Sequence, residues 1–178
     1  MQRSSQIRLL LNSGDRRTIA RVREAVELVR HDGRHMPALI ECLFDGDAAV
    51  RMRAADSLEK VSRTHAHEID SYAAVLLDLF EQTEQQELRW HLAVLVPRLH
   101  LSRFQRLRAA EILQRCLNAR SSIVRTFALQ GLLDLSLSEA SLKPLVIDFL
   151  RAAERSGTPA MKARSRKLLV KLEKPGPQ

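Results

Sequence analysis

Aromatic residues and glycine are scarce in this chain. Phe, Trp and Tyr together make up 4% of its 178 residues, and glycine occurs six times. β-Sheets are enriched in aromatic and β-branched residues, whereas leucine, alanine and arginine favour helices. Hydrophobic residues still account for 45% of the chain, which is enough to bury a core at this length. The composition therefore predicts an all-α protein.

Long apolar runs and clustered cysteines are also missing. No segment approaches the roughly 20 apolar residues that cross a bilayer. The N-terminal run of three leucines, between arginines, is too short for the core of a signal peptide. Cys42 and Cys116 are isolated and fall at apolar positions of predicted helices, which favours buried free thiols over a disulfide. We therefore expect a cytoplasmic protein with no membrane span.

The charge is unevenly distributed along the chain. The formal net charge is +8. Residues 41–87 carry four basic and eleven acidic groups, whereas residues 151–178 carry eight basic and two acidic groups. Such a separation bears on association with partners rather than on the fold.

A nine-residue pattern recurs four times. Its copies are VRMRAADSL (50–58), LRWHLAVLV (88–96), VRTFALQGL (124–132) and MKARSRKLL (161–169). Each copy opens with an aliphatic residue and a cation, and small or apolar residues follow four and eight positions after the first. These positions share one face of a helix. The copies start 38, 36 and 37 residues apart, so the pattern predicts one buried helical stripe in four repeats.

A second apolar helix is predicted before each copy. These segments are MPALIECLF (36–44), YAAVLLDLF (72–80), RAAEILQRCL (108–117) and KPLVIDFLR (143–151). Pro37 and Pro144 suit the first turn of a helix, where a missing N–H costs nothing. Asp47 and Ser121 have side chains that cap helix N-termini. The predicted unit is a helix–turn–helix repeat of about 37 residues.

We predict a single domain over residues 1–178. Residues 34–173 form the repeats, and residues 1–33 form a less regular N-terminal cap with helices at 5–12 and 15–31. Residues 174–178 are predicted to be a disordered tail. Pro97, one residue past the stripe of its helix, should end or kink that helix.

The repeat resembles the HEAT-repeat family, most specifically in LIECLFDGDAAVRMRAADSLEKV (39–61), with its Asp, Val-Arg, paired alanines and Leu. The resemblance covers roughly residues 34–173 and implies a right-handed α-solenoid, or α-α superhelix, of antiparallel helix pairs. In that family the arginine after the valine joins a ladder of polar contacts between repeats. The resemblance implies this role for the following residues: Arg51, Arg89 and Arg125, with Asp47 as an acceptor. The second and third repeats carry Gln85 and Ser121 where the first repeat carries Asp47, so ionic rungs are not expected in those two repeats.

The common short motifs of catalysis and metal binding are absent from the sequence. The sequence contains no G-x-S-x-G, no phosphate-binding glycine loop and no H-E-x-x-H. His65, His67 and Glu68 would hold Zn²⁺ only with a further ligand, and the alternative is that they are solvated turn residues. We therefore expect no enzymatic activity, no cofactor and no metal.

The resemblance implies a non-catalytic scaffold or adaptor that binds another protein on a concave surface lined by the second helices. We expect the protein to be a monomer. The predicted partner-binding residues are Met52, Arg53, Trp90, His91, Thr126, Phe127 and Arg164. Trp90 lies outside the repeated stripe, and tryptophan is enriched at binding hot spots. The alternative for Trp90 is that it fills a groove between neighbouring helices.

Nucleic-acid binding is the second function considered. The predicted basic patch comprises Arg155, Lys162, Arg166 and Lys167, and its alternative interpretation is a solvated end of the array. Some bacterial DNA glycosylases that remove alkylated purines are built from HEAT-like repeats, and they use aromatic side chains and a catalytic carboxylate. One Trp, one Tyr and the acidic segment 41–87 argue against that activity here. Bilin lyases are also HEAT-like, but no residue of this chain indicates one.

Overall fold

The computed structural model describes residues 2–13 and 21–173, which contain ten α-helices and no β-strand. The helices are α1 Gln2–Leu11, α2 Val22–His31, α3 Met36–Glu41, α4 Ala48–His65, α5 Ala73–Gln82, α6 Gln86–Leu95, α7 Arg103–Cys116, α8 Ser122–Ser138, α9 Lys143–Ser156 and α10 Pro159–Glu173. The prediction of an all-α protein is confirmed. Residues 14–20, which include the start of the predicted 15–31 helix, lie outside the described residues. The predicted tail at 174–178 also lies outside them.

The helix boundaries follow from local chemistry. The Asp47 carboxylate accepts a hydrogen bond from the Ala49 N–H at 2.8 Å and caps α4. Ser121 caps α8 in the same way, through the Val124 N–H at 3.5 Å. α6 ends at Leu95, and Pro97 lies in the single 3₁₀ turn that follows. The predicted caps and the predicted stop at Pro97 are confirmed.

The repeated stripes form the interior. Val50, Ala54 and Leu58 have no exposed surface, and the equivalent residues of α6 and α8 are at most 1% exposed. The fourth stripe differs at its end, because Leu168 is buried there while Leu169 is half-buried. The buried side chains of α10 therefore follow the repeated pattern at Met161 and Ser165 and depart from it by one residue at Leu168.

The helices of even number pack in chain order. α2 contacts α4, α4 contacts α6, α6 contacts α8, and α8 contacts α10. Among the helices of odd number, α1 contacts α3 and α5 contacts α7. One hydrophobic core extends from Ile7 in α1 to Leu168 in α10. The accessible side of α4, α6, α8 and α10 thus forms a continuous surface, which we call the even-helix face.

Gly131 lies at a close approach between α8 and α6. A Cβ placed on Gly131 would lie 2.2 Å from the Ala93 carbonyl oxygen of α6 and 3.0 Å from a Leu113 methyl group of α7. No side chain fits between these atoms. The contact of α8 with its two neighbours therefore depends on glycine at this position.

Both cysteines are buried and free, as predicted. Burial raises the pKa of the Cys42 thiol to about 11 and also raises the pKa of Cys116. In the part of the chain that the structure describes, no helix has both the length and the hydrophobicity needed to cross a membrane.

Candidate partner-binding face

The even-helix face is built from half-buried and exposed side chains at helical spacing. They are Met52, Asp56, Lys60 and Arg63 of α4, Glu87, Trp90, His91 and Arg98 of α6 and its 3₁₀ turn, Phe127, Gln130 and Asp134 of α8, and Arg164, Lys167 and Lys171 of α10. Residues three or four apart lie on the same side of a helix. Each helix therefore presents one strip of side chains to this face.

A pocket of about 190 Å³ opens on the face where three helices meet. Its lining residues are Asp56, Glu59, Arg63, Trp90, His91, Val94 and Phe127. Trp90 and Phe127 are half-buried and pack against the core. The pocket is smaller than the roughly 300–1,000 Å³ of small-molecule sites. Its size therefore suits a single bulky side chain better than a metabolite.

The carboxylates at this pocket are already paired. Glu59 accepts hydrogen bonds from Arg63 at 2.9 Å and from Arg98 at 2.7 Å. Burial raises the pKa of Glu59, but the bonds from Arg63 and Arg98 together outweigh burial and hold the pKa below its usual value. Asp56 forms an ion pair with Lys60. Both carboxylates are thus engaged by basic side chains, and the lowered pKa of Glu59 makes this group poorly suited to proton transfer.

His91 lies at the pocket, where its ring packs against Trp90 in a T-shaped arrangement with a centroid distance of 5.6 Å and an interplanar angle of 61°. Burial lowers the pKa of His91, although the charges of Asp56 and Glu59 act in the opposite direction. The imidazole is therefore neutral at pH 7. It contributes a polar but uncharged wall to the pocket.

On the far side of Phe127, the face becomes basic. The Arg164 guanidinium carbon lies 5.6 Å from the centre of the Phe127 ring, and Arg164 Nη1 donates to Gln130 Oε1 at 3.1 Å. Lys171 approaches Asp134 at 3.6 Å. Among the described side chains, no ion pair involves Arg164 or Lys167. This strip of α10 therefore carries positive charge without a matching number of carboxylates.

Five of the seven predicted partner-binding residues lie on the even-helix face: Met52, Trp90, His91, Phe127 and Arg164. Arg53 and Thr126 do not, and their predicted exposure is wrong. Arg53 is 2% exposed, and its Nη1 donates to the Leu11 carbonyl of α1 at 2.7 Å. His91, Phe127 and Arg164 hold the same position in their repeats and are half-buried, so α4 differs from the other even helices at this position. Thr126 is 7% exposed, and its hydroxyl donates to the Ser122 carbonyl within its own helix.

The predicted ladder exists at its first rung, with a different acceptor. Arg51 Nε donates to Gln85 Oε1 at 2.9 Å, and Gln85 Nε2 donates to the Ala48 carbonyl at 2.8 Å. Arg51 thereby joins α4 to the start of α6, as predicted. Asp47 is not the acceptor, because its carboxylate caps α4.

The other predicted rungs are wrong. Arg89 donates to the Thr83 carbonyl and to Glu84, both at 2.7 Å, in the turn before its own helix. Arg125 Nε is buried without a hydrogen-bond partner. The adjacent junction instead uses the Ser122 and Thr158 hydroxyls, whose oxygens are 2.8 Å apart. A nearer carboxylate thus holds Arg89, and short hydroxyl side chains replace the arginine at the next junction.

The predicted basic patch is divided between two sides of α10. Lys162 and Arg166 are four residues apart and share one side, where Arg166 pairs with Glu154 of α9 at 3.4 Å. Lys167 lies on the other side, with Arg164. Arg155 is exposed in the last turn of α9. The four predicted residues therefore do not form one surface.

The side chains of the histidine-rich turn, His65, His67 and Glu68, are not arranged as a set of metal ligands. The His65 and His67 rings lie 6.3 Å apart, and His67 Nε2 is 4.0 Å from Glu68 Oε1. Within residues 2–13 and 21–173, no cluster of three or more His, Cys, Asp or Glu side chains is arranged to hold a metal ion.

Asp56, Glu59, Arg63 and Val94 line the pocket but were not predicted from the sequence. Asp56 lies four residues after Met52, and Glu59 lies three after Asp56. That spacing places them on the same strip of α4. Applying the helical period to the predicted site would therefore have identified the two carboxylates.

Comparison with known proteins shows the fold alone. No protein-family model and no curated protein matches the chain. An engineered protein solved by the Northeast Structural Genomics Consortium has a TM-score of 0.65 and 16% identity, over 96% of this chain and 79% of that one. A second engineered protein from the same consortium has a TM-score of 0.65 and 18% identity, over 97% of this chain and 48% of that one. The chain thus spans about half the length of the second protein.

Proposed function

We propose that this chain is a non-catalytic scaffold or adaptor that binds another protein on the even-helix face. The observation that carries the proposal is the pocket shared by α4, α6 and α8, which is lined by half-buried Trp90 and Phe127. Tryptophan and arginine are enriched at binding hot spots, which cluster in well-packed pockets surrounded by polar residues. The only tryptophan of the chain lies in such a setting.

The proposed architecture is a HEAT-like, right-handed α-solenoid, with the even-helix face as its concave side. The repeat periods of 36 to 38 residues and the packing of even helices in chain order support it. Side chains from α4, α6 and α8 converge on one pocket, as expected where a row of helices curves inward. Concave surfaces of this kind are the binding surfaces of repeat proteins.

Several arginines that could bind nucleic acid are instead paired with carboxylates. Arg108 donates to Asp78 at 2.7 Å and to Glu81 at 2.6 Å, and Arg115 donates to Glu81 at 2.6 Å. Affinity for nucleic acid rises with the number of phosphates that cations neutralise. Ion pairs within the protein reduce the positive charge available for phosphates, which favours a protein partner. We propose a monomer in the cytoplasm, where buried free thiols are stable.

Affinity purification with a double variant tests the proposal. The chain is immobilised and used to recover partners from cells of its source, which are identified by mass spectrometry. We expect Trp90→Ala with Phe127→Ala to abolish recovery of a specific partner. The matched control is Phe44→Ala with Phe104→Ala, which removes two phenylalanines that are 56% and 76% exposed outside this face. Circular dichroism verifies that both variants remain folded.

Two results would contradict the proposal. One is full recovery of every specific partner by the folded Trp90 and Phe127 variant. The other is tight binding of duplex DNA in fluorescence anisotropy, with a steep linear decrease of log K against log salt concentration. The second result would support nucleic-acid binding instead.

A further inference from the structure

We infer that the partner presents a short acidic segment, with a bulky apolar side chain in the Trp90–Phe127 pocket and adjacent carboxylates on Arg164 and Lys167. The inference rests on the proposed function and adds the chemistry of the partner. It uses the position of the α10 cations relative to the pocket and the charges left unmatched on the face.

The pocket and the cations are adjacent. Phe127 lines the pocket and also lies beneath the Arg164 guanidinium, which is 5.6 Å from the ring centre. Packed helices lie roughly 8–10 Å apart, and an extended chain advances about 3.3 Å per residue. A carboxylate about three residues from the apolar anchor therefore reaches α10.

The unmatched charge on this side of α10 is positive. Arg164, Lys167 and Lys171 share one strip of the helix, and Asp134 is the carboxylate that lies near them, 3.6 Å from Lys171. At the pocket, by contrast, Glu59 and Asp56 are already paired with basic side chains. The uncompensated sites on α10 thus attract carboxylates rather than cations, whereas Glu87, which has no ion pair among the described side chains of the face, lies on α6 and accepts a hydrogen bond from Gln86.

Arg164 is held ready for such a contact. The Phe127 ring supports its guanidinium from below, and Gln130 accepts one of its hydrogen bonds at 3.1 Å. The guanidinium has five N–H donors, so donors remain for a carboxylate. An arginine fixed in advance loses little conformational freedom when it binds.

A protein segment fits this surface better than a phosphate backbone does. Nucleic acid needs cations along an extended path, but the basic strip ends at an apolar pocket. The segment 41–87, which contributes α4 to the pocket, carries eleven acidic and four basic groups, and these would repel a phosphate backbone. Carboxylates beside one apolar anchor match both the strip and the pocket.

The probe is a phage-displayed library of random peptides selected on the immobilised full chain. Selection is repeated on Arg164→Glu with Lys167→Glu. The matched control is Lys162→Glu with Arg166→Glu, which makes the same change of charge on the other side of α10. Selected peptides are synthesised with a fluorescent label, and binding is followed by the fluorescence anisotropy of that label for the wild type and for every variant, including Trp90→Ala with Phe127→Ala.

We expect the selected peptides to carry an aromatic or large aliphatic residue with Asp or Glu within about four positions of it. Their affinity should decrease about tenfold or more in the Arg164 and Lys167 variant, and by less than about twofold in the control. Selection on the Arg164 and Lys167 variant should yield basic residues at the positions where the wild type selects acidic ones.

The outcomes separate this inference from the proposed function. Peptides that require Trp90 and Phe127 but show no acidic preference would overturn the inference and leave the proposed function intact. Equal losses in the two charge variants would do the same. Peptides unaffected by Trp90→Ala with Phe127→Ala would contradict both. Failure to select any peptide would overturn the inference that the partner presents a linear acidic segment. The proposed function would then be tested by the affinity purification only.

Discussion

Arg51 and Gln85 lie side by side although 34 residues separate them, with Arg51 Nε donating to Gln85 Oε1 at 2.9 Å. The same Gln85 amide donates to the Ala48 carbonyl at 2.8 Å. One side chain therefore binds both a side chain and the backbone of α4 while it occupies the N-cap position of α6. The pair couples two neighbouring repeats.

Replacing Gln85 should weaken this junction. We expect Gln85→Ala to lower the free energy of unfolding by about 1 kcal/mol, because two hydrogen bonds are lost, one partly buried and one exposed. Urea denaturation followed by circular dichroism measures the change. The control is Gln86→Ala, which alters an exposed neighbour and should cost less than about 0.5 kcal/mol. A double-mutant cycle with Arg51→Ala should show coupling, and strictly additive effects would contradict the direct contact.

Gly131 gives a second prediction. Alanine favours helices over glycine by about 1 kcal/mol, yet Gly131→Ala should destabilise the protein by about 2 kcal/mol. The added Cβ would lie 2.2 Å from the Ala93 carbonyl oxygen, and overpacking of this kind costs roughly 1–3 kcal/mol. Thermal unfolding measures the effect.

Gly46→Ala is the matched control for that substitution. A Cβ at Gly46 meets no atom within 4 Å, and the turn lies before α4. We expect this variant to unfold at the same temperature as the wild type or slightly higher, because alanine restricts the unfolded chain. A Gly131 variant as stable as the Gly46 variant would show that α6 and α8 separate at little cost.

Arg53 should matter for stability and not for binding. Its guanidinium is buried and donates to the Leu11 carbonyl, 42 residues away. We expect Arg53→Ala to cost about 3 kcal/mol, because it removes a large buried side chain and leaves a cavity. Met52→Ala, at the half-buried position next to it, should cost about 1 kcal/mol.

Peptide binding distinguishes a role of Arg53 in stability from a role in the binding interface. The folded fraction of Arg53→Ala should bind the selected peptides with the affinity of the wild type. A stable Arg53 variant with weakened binding would place this residue in the interface instead.

His91 should make stability depend on pH. Burial lowers its pKa from 6.5, so the folded protein keeps the imidazole neutral while the unfolded chain takes up a proton near pH 6.5. The unfolded state thus binds more protons in this range, and the free energy of unfolding should decrease as the pH falls from 7.5 through 6.5. The decrease should stop below the pKa of folded His91, where both states are protonated.

Urea unfolding at a series of pH values measures this effect. The difference between the wild type and His91→Gln isolates it from the other histidines. The charged groups near His91 are Asp56, Glu59, Lys60 and Glu87, so Lys60→Gln should weaken the effect by removing a repulsive cation. Parallel curves for the wild type and His91→Gln would contradict the assignment.

Local chemistry explains what could be predicted from the sequence. The stripes, the caps at Asp47 and Ser121, and the end of α6 before Pro97 each depend on residues within about two helical turns. The location of Met52, Trp90 and Phe127 on the accessible face also followed from helical spacing. For Lys162 and Lys167, the same spacing would have separated the two sides of α10.

Contacts between residues far apart in the chain explain the features that could not be predicted from the sequence. Arg53 is buried because a backbone carbonyl 42 positions earlier accepts its hydrogen bond. Arg89 has the same place in its repeat as Arg51, but Glu84 holds it within its own turn. The pocket depends on how three helices are rotated relative to one another, which no single repeat encodes.

The ties between neighbouring helix pairs have a mechanical consequence. Arg51 and Gln85 are 34 residues apart, and Ser122 and Thr158 are 36 apart, so each tie links one pair to the next. A tensile load applied along the row passes through these junctions in series, and each absorbs a small share of the extension. We expect compliance to be lowest between α6 and α8, where the Gly131 backbone touches Ala93. Bending of the molecule would then concentrate on either side of that rigid junction.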